Sequence, residues 1–242
     1  MKQPEAWQPS KVIWRPDRNR YEANPAYVSL GSLYAVTLMA GAYERVIRQH
    51  ASGRLLDCGC GDVPYYGIYR ECVTEAVCVD WGESMHGRVH VDQEVDLTQP
   101  LPFAEGRFDT VLLADVLEHI PVPAELMREI ARVLAPGGKV IVLVPFLYRV
   151  HEAPYDFYRY TEFALDRLAS QAGLDMLEAE PYGGYPDVLL DLANKGLTGS
   201  RPICRAFLAG SRWVSGSRWF GRWRERTKRN FPLGYCVVAR KA

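Results

Sequence analysis

Apolar and polar positions along this chain follow two rhythms. Short continuous apolar runs at Arg54–Asp57, Ala76–Asp80, Phe108–Ala114 and Lys139–Phe146 predict buried strands. Val89–Val95 predicts a weaker strand, and Asp175–Tyr182 and Leu233–Lys241 the last two. Between them lie segments of helical period. Pro123–Ala135 places Leu126, Ile130, Val133 and Leu134 on one face, and Pro136-Gly137-Gly138 ends it, because proline cannot continue the ladder. A helix is expected from Pro25, with Tyr27, Leu30, Tyr34 and Leu38 on one stripe. Further helices are expected over Pro64–Cys72 and from Thr161 to Ala172, the latter stopped by Gly173. This alternation requires crossover connections, hence an α/β fold with a mainly parallel sheet and helices on both faces. Residues 1–24, rich in Pro, Arg and Trp, read as an irregular N-terminal arm, and 25–242 as one domain. The segment 184–230 breaks the rhythm and reads as a helical insertion before the last strand.

With 242 residues, 48% hydrophobic and 24% charged, the chain can fill one globular domain. Its net charge is zero, but the balance is uneven. From Pro186 onward 12 Lys and Arg face 3 Asp and Glu, which hints at an anionic partner for that part. The start, Met1-Lys2-Gln3-Pro4-Glu5, lacks the apolar core of a signal peptide, and no apolar run nears the ~18 residues of a membrane span. A cytoplasmic protein is expected. The six cysteines form no C-x-x-C pair and sit mostly in apolar strand patterns, so reduced core thiols are expected, without metal or disulfides.

The strongest local signal is Leu55-Leu56-Asp57-Cys58-Gly59-Cys60-Gly61, read with Asp80 at the end of the next apolar run. A strand that stops at glycines lets backbone N–H groups approach a ligand without a Cβ in the way, and an acid after the next strand can accept from ribose hydroxyls. An adenosine-containing cofactor follows. The dinucleotide fingerprint G-x-G-x-x-G is incomplete, since Pro64 stands three residues after Gly61. A third acidic position, Asp96-Leu97, is placed to accept from an adenine amine.

The ordered motifs LLDCGCG (55–61), VCVD (77–80), DL-x-x-PLPF (96–103), FDTVLLADVLEHI (108–120) and ARVLAPGGKVIVLVPF (131–146) resemble those of class I S-adenosylmethionine-dependent methyltransferases. The likeness is greatest to small-molecule and sugar methyltransferases with LDxGCG and LEHI, and covers about 50–180 plus the final strand. It implies a Rossmann-like seven-stranded sheet with an antiparallel last strand, and S-adenosyl-L-methionine as cofactor. By position, Asp57, Gly59 and Gly61 would hold the amino-acid end of the cofactor and Asp80 its ribose. Trp81 would flank the adenine, and Asp96 with Leu97 would meet its amine. Ala114 and the catalytic candidate Asp115 would lie beside the sulfonium. Many relatives carry a third glycine where Val63 stands, so the turn is expected to be shaped differently here, with Pro64 taking part.

The loop His151–Thr161 packs a base, two acids, four aromatics and an arginine into eleven residues, more chemistry than a connection needs. A similar H-x-x-P-x-D-[FY]-x-R-[FY]-T run occurs in a subset of the same group. His151 is the candidate general base, with Asp156 orienting it or binding the acceptor. Arg159 can pair with an acidic acceptor, or with Asp156 as a structural ion pair. Tyr65, His119 and Tyr158 are further acceptor-side candidates, each with a packing role as the alternative. The Asn/Asp-Pro-Pro-Tyr/Phe loop of enzymes that methylate nucleobase amines is absent; Ala114-Asp115-Val116-Leu117 stands there.

Between Arg201 and Arg229 nine Lys and Arg interleave with Phe207, Trp213, Trp219, Phe220 and Trp223. That pattern fits a membrane-surface helix, an RNA-binding surface or a solvated cap. The leading expectation is O-methylation of a sugar, lipid-linked saccharide or related small molecule at the cytoplasmic membrane face. An RNA methyltransferase and a non-catalytic cofactor-binding relative are the alternatives.

Overall fold

The computed structural model describes residues 1–82 and 87–242, and divides into two compact units. The first comprises residues 1–8, 45–180 and 235–242; the second, 9–44 and 181–234.

In the second unit, strands β1 (Val12–Arg15) and β2 (Arg20–Ala23) pair as an antiparallel hairpin, where an irregular arm was expected. The helix expected from Pro25 starts later, as a 3-10 turn at Leu30–Ser32 that runs into α1 (Leu33–His50). The reason is local. Asn24 accepts the Ala26 N–H on its side chain and those of Tyr27 and Val28 on its carbonyl, turning the chain before a helix can begin.

Strands β3 (Arg54–Cys58), β4 (Glu75–Asp80), β5 (Gln93–Glu94), β6 (Phe108–Ala114), β7 (Leu134–Pro145), β8 (Leu174–Tyr182) and β9 (Gly234–Lys241) form one sheet, ordered β5-β4-β3-β6-β7-β9-β8. The sheet is mostly parallel, with antiparallel strands at one end, as expected. Its apolar runs are buried in full: Leu55, Leu56, Val111, Leu112, Leu113, Val140, Ile141 and Leu143 have no exposed surface. β5 keeps only two residues of the expected Val89–Val95 strand, because Val91 closes a turn on the Arg88 carbonyl. The Pro64–Cys72 segment yields one turn, α2 (Tyr66–Tyr69).

Helix α3 (Pro123–Val133) buries Leu126, Met127, Ile130 and Val133, the face expected. It ends because Leu134 turns extended and enters β7. The register on β6 then jumps from Phe108↔Leu134 to Thr110↔Lys139, so Ala135-Pro136-Gly137-Gly138 bulge out, with Gly137 at φ +75°. Helix α4 (Glu162–Gln171) is capped by Thr161, whose side chain accepts from the Ala164 N–H, and Gly173 follows it at φ +75°.

The expected helical segment 184–230 folds as α5 (Tyr185–Gly196), α6 (Arg201–Ser215) and α7 (Arg218–Thr227) in the second unit. Asp187 of α5, fully buried, accepts two hydrogen bonds from Arg224 at 2.7 Å each and one from the Tyr34 hydroxyl at 2.7 Å. The Asn194 side chain donates to the Leu30 and Gly31 carbonyls.

Candidate active site

Parallel pairing brings the ends of β3, β4 and β6 level: Cys58 pairs with Val79 on one side and Leu113 on the other. The loops beyond those ends, all within the first unit, carry the site. After β3 the chain turns through Gly59 (φ +68°) and Gly61 (φ +51°). A Cβ on Gly59 would come within 2.6 Å of Val116 Cγ2, so only glycine fits. The Gly59 and Cys60 N–H groups donate to the Val79 carbonyl, and the Gly61 N–H donates to Asp80 Oδ2 at 3.0 Å. Asp80 Oδ1 accepts from the Trp81 N–H at 2.8 Å. The acid after β4 and the glycine turn after β3 are thus one hydrogen-bonded unit.

Val63 corrects an expectation. It adopts φ +48° itself, with its side chain fully buried, so the turn keeps the backbone a glycine would supply instead of being reshaped by Pro64. The Trp7 indole, in a segment given no role from sequence, donates to the Val63 carbonyl at 3.0 Å.

Asp57 is buried and accepts from the Tyr69 hydroxyl at 2.9 Å. Burial, together with the Asp80 carboxylate and against that hydrogen bond, pushes its pKa up to about 7. Tyr65, also buried, donates to Asp115 Oδ2 at 3.2 Å, and Asp115 is held at φ +57°. Ala114 ends β6 immediately before it. Asp96 stands apart, exposed, its Oδ1 accepting from the N–H and hydroxyl of Thr98, while Leu97 is buried.

The loop after β7 is pinned onto the turn Leu117-Glu118-His119. The Glu118 carbonyl accepts from the Phe157 and Tyr158 N–H groups, the Tyr160 hydroxyl donates to the Leu117 carbonyl, and the Tyr158 hydroxyl to that of Pro121. His119 Nδ1 lies 2.8 Å from the Tyr155 carbonyl, and the Tyr155 ring meets Trp81 edge-on at 5.4 Å. Tyr155 therefore bridges the two halves of the site.

Asp156 accepts from both guanidinium nitrogens of Arg159, at 2.5 and 2.7 Å, and from the His151 N–H at 2.9 Å. The Arg159 guanidinium holds its carboxyl well below the usual range. Asp156 Oδ2 stands 3.3 Å from His151 Nδ1. On the other side of the ring, Nε2 is 3.7 Å from Glu118 Oε1, an ion-pair rather than hydrogen-bond separation. That carboxylate holds the imidazole above its ordinary value, and burial raises the Glu118 carboxyl. His119 Nε2 is 3.8 Å from the same Glu118 oxygen. Glu118, His119 and His151 each offer one metal-ligating atom, all within 4.8 Å of one another. Glu118 had no role assigned from sequence beyond its place in the motif 108–120. Its signal was a charge inside an otherwise apolar segment, Val116-Leu117-Glu118-His119-Ile120.

The methyltransferase domain family matches residues 34–179, well over half of the chain. The chain belongs to that family. With its sheet order it falls in the class of S-adenosylmethionine-dependent methyltransferases, which carries S-adenosyl-L-methionine as cofactor. A ubiquinone biosynthesis O-methyltransferase of Xanthomonas euvesicatoria is 30% identical over 139 residues, spanning 52% of this chain and 54% of the relative. One from Burkholderia pseudomallei is 29% identical over 164 residues, spanning 55% of this chain and 69% of the relative. This methyltransferase thus spans about half the length of the Xanthomonas relatives it matches. Among solved structures, a methyltransferase of Archaeoglobus fulgidus aligns with TM-score 0.56 at 17% identity, covering 88% of this chain and 95% of that one. The [4+2]-cyclase SpnF aligns with TM-score 0.55 at 19% identity, covering 92% and 86%. A cyclase on the same fold shows that architecture alone does not choose the reaction.

Proposed function

We propose that the protein transfers a methyl group from S-adenosylmethionine to a hydroxyl of a sugar, lipid-linked saccharide or related small molecule at the cytoplasmic membrane face. The observation that carries this reading is the bridge through Tyr155, which ties the glycine-turn half of the site to the histidine loop. O-methylation is also the activity named for the relatives of about 30% identity. Residues 25–242 are read as the catalytic domain and 184–230 as its insertion.

The residues suit the cofactor. Gly59 and Gly61 leave a turn with no Cβ over it, and each Asp80 oxygen uses one acceptor direction on the backbone, leaving another for a ribose hydroxyl. Asp57, Gly59 and Gly61 would hold the amino-acid end, Trp81 would flank the adenine and Asp96 with Leu97 would meet its amine, with Ala114 and Asp115 beside the sulfonium. Bound S-adenosylmethionine supplies an electrophilic methyl on sulfur. As the new O–C bond forms and the C–S bond breaks, the electron pair goes to sulfur and the hydroxyl proton must leave. The chain's tasks are to align the oxygen and take up that proton on the side of Glu118, His119 and His151, with Asp156 orienting His151.

Membrane attachment is favoured by α6. Trp213 is 83% exposed and Ile203 55%, and with Pro202, Ala206 and Gly210 they make one apolar stripe. Arg201, Arg205 and Arg212 run along its flank. In α7, Arg218, Arg222 and Arg226 are exposed beside Trp219. The nearest acid, Glu225, pairs with Lys228.

The test is transfer of labelled methyl into fractionated extract, with Asp80→Ala as control. Asp80→Ala should weaken cofactor binding by on the order of 1–3 kcal/mol, the cost of unpaired ribose hydroxyls. Label in a lipid or saccharide fraction supports the reading; label in RNA overturns the acceptor; no Asp80-dependent label anywhere overturns the activity.

A further inference from the structure

We propose that Glu118, His119 and His151 form a binding site for one divalent transition-metal ion. Three side chains from two segments, the turn after β6 and the loop after β7, bring one ligand atom each within 4.8 Å of the others. Glu118 has no exposed surface, and neither carboxylate oxygen has a hydrogen-bond partner. His119 Nε2 is also buried and has no hydrogen bond, with Glu118 Oε1 and Glu152 Oε2 each 3.8 Å away. Native proteins rarely leave buried carboxylate oxygens without a hydrogen bond; the two imidazoles stand only at ion-pair distance, and an ion between the three groups supplies the missing partner.

The outer contacts match what a metal site requires. A backbone carbonyl can only accept, so the 2.8 Å contact of His119 Nδ1 with the Tyr155 carbonyl puts the proton on Nδ1 and leaves Nε2 as the ligand atom. His151 Nδ1 faces Asp156 Oδ2 at 3.3 Å, a carboxylate that also accepts from Arg159. Arg159 Nη2, 3.5 Å from the same ring nitrogen, already donates to Asp156 and to the Arg149 carbonyl. Arg159 can only donate, so that contact alone leaves the ring proton on Nε2; an ion at Nε2 selects instead the tautomer whose Nδ1–H faces Asp156. His119 thus has one ring nitrogen anchored and the other directed at Glu118, an arrangement that fixes the tautomer of a metal ligand.

The ligand atoms, within 4.8 Å of one another, must draw closer to share one ion. Ligand atoms ~2.1 Å from one ion lie ~3.4 Å apart in a tetrahedral arrangement. The separations from Glu118 Oε1 are 3.8 Å to His119 Nε2 and 3.7 Å to His151 Nε2. Two imidazoles with one carboxylate select zinc, iron(II), cobalt or nickel over magnesium or calcium, which prefer all-oxygen donor sets. Binding stands apart from the acceptor reading; where that reading holds, the bound ion occupies both histidine Nε2 atoms, so acidifying an ion-bound acceptor hydroxyl takes the place of proton uptake by the histidines.

The test uses the full chain stripped with a chelator and titrated calorimetrically with zinc chloride, and with cobalt(II) followed by visible absorption. One ion per chain is expected, with affinity at least 100-fold lower in Glu118→Gln and His151→Ala. Asp156→Asn, which keeps the side chain's shape but weakens its hold on His151 and Arg159 without removing a ligand atom, should lower it 10–100-fold. S-adenosylhomocysteine binding measured on every variant reports folding. Intact S-adenosylhomocysteine binding with no stoichiometric zinc or cobalt overturns the proposal, as does zinc affinity unchanged in Glu118→Gln and His151→Ala. Stoichiometric zinc with no methyl transfer into any fraction upholds this site and overturns the proposed activity instead.

Discussion

At the scale of single residues, burial decides what the motif letters mean chemically. Asp57, at the head of the glycine turn, is enclosed with Tyr69, and its pKa is lifted to about 7. Its unfolded value is ~3.9, so the native state holds the extra proton between those values. The stability Asp57 contributes is therefore full below about pH 4 and is lost as the pH rises toward 7. Urea unfolding of the cofactor-free protein at pH 5 and pH 8 should show lower stability at pH 8, by on the order of a few kcal/mol. Asp57→Asn should remove that part of the slope. Gly59 is constrained from the other direction, by its positive φ and by Val116. Gly59→Ala should lower stability by about 1–3 kcal/mol and abolish S-adenosylhomocysteine binding, checked by thermal melts and calorimetry.

At the scale of elements, periodicity was a good guide wherever local and tertiary preferences agree. Helix α3 and the strands β3, β4, β6 and β7 appear close to their expected places, because their apolar faces are also the faces the sheet buries. The helix from Pro25 and the strand from Val89 failed where short-range turns captured the backbone first, through Asn24 and Arg88. Thr161 was legible as a cap because one side-chain oxygen suffices. Thr161→Ala should cost about 1 kcal/mol in α4, read as a shift in the urea midpoint. The Asp187–Arg224–Tyr34 link had no local signature, since its members lie far apart in the chain. Asp187→Ala leaves a half-buried guanidinium without its carboxylate and should cost about 3–5 kcal/mol, measured the same way.

At the scale of the whole molecule, charge is partitioned rather than balanced. The excess of arginines after Pro186 is gathered on α6 and α7, next to exposed Trp213 and Trp219 (65%). Sedimentation with vesicles should show binding to phosphatidylglycerol-rich membranes and little to neutral ones, weakening as salt rises from 50 to 500 mM. Trp213→Ala should reduce binding about tenfold at fixed salt, the share of one inserted aromatic ring. Binding to RNA in preference to vesicles would reverse the assignment of that surface. No helix among the described residues is long and apolar enough to cross a membrane, so any attachment through α6 is to a surface.

The sequence by itself determined the α/β architecture, the glycine turn with its two acids, and the methyltransferase class. Those features are written in contiguous residues whose spacing obeys backbone geometry. Only the tertiary structure decided what meets what. It seated Val63 in a glycine's conformation, left Asp96 exposed with Thr98 on its carboxylate, and joined Trp81 to His119 through Tyr155. It also brought Glu118 and His119 against His151, more than thirty residues away in the chain. A contact across that distance depends on the parallel register of β6 and β7, which sets where each following loop emerges. No local pattern encodes it.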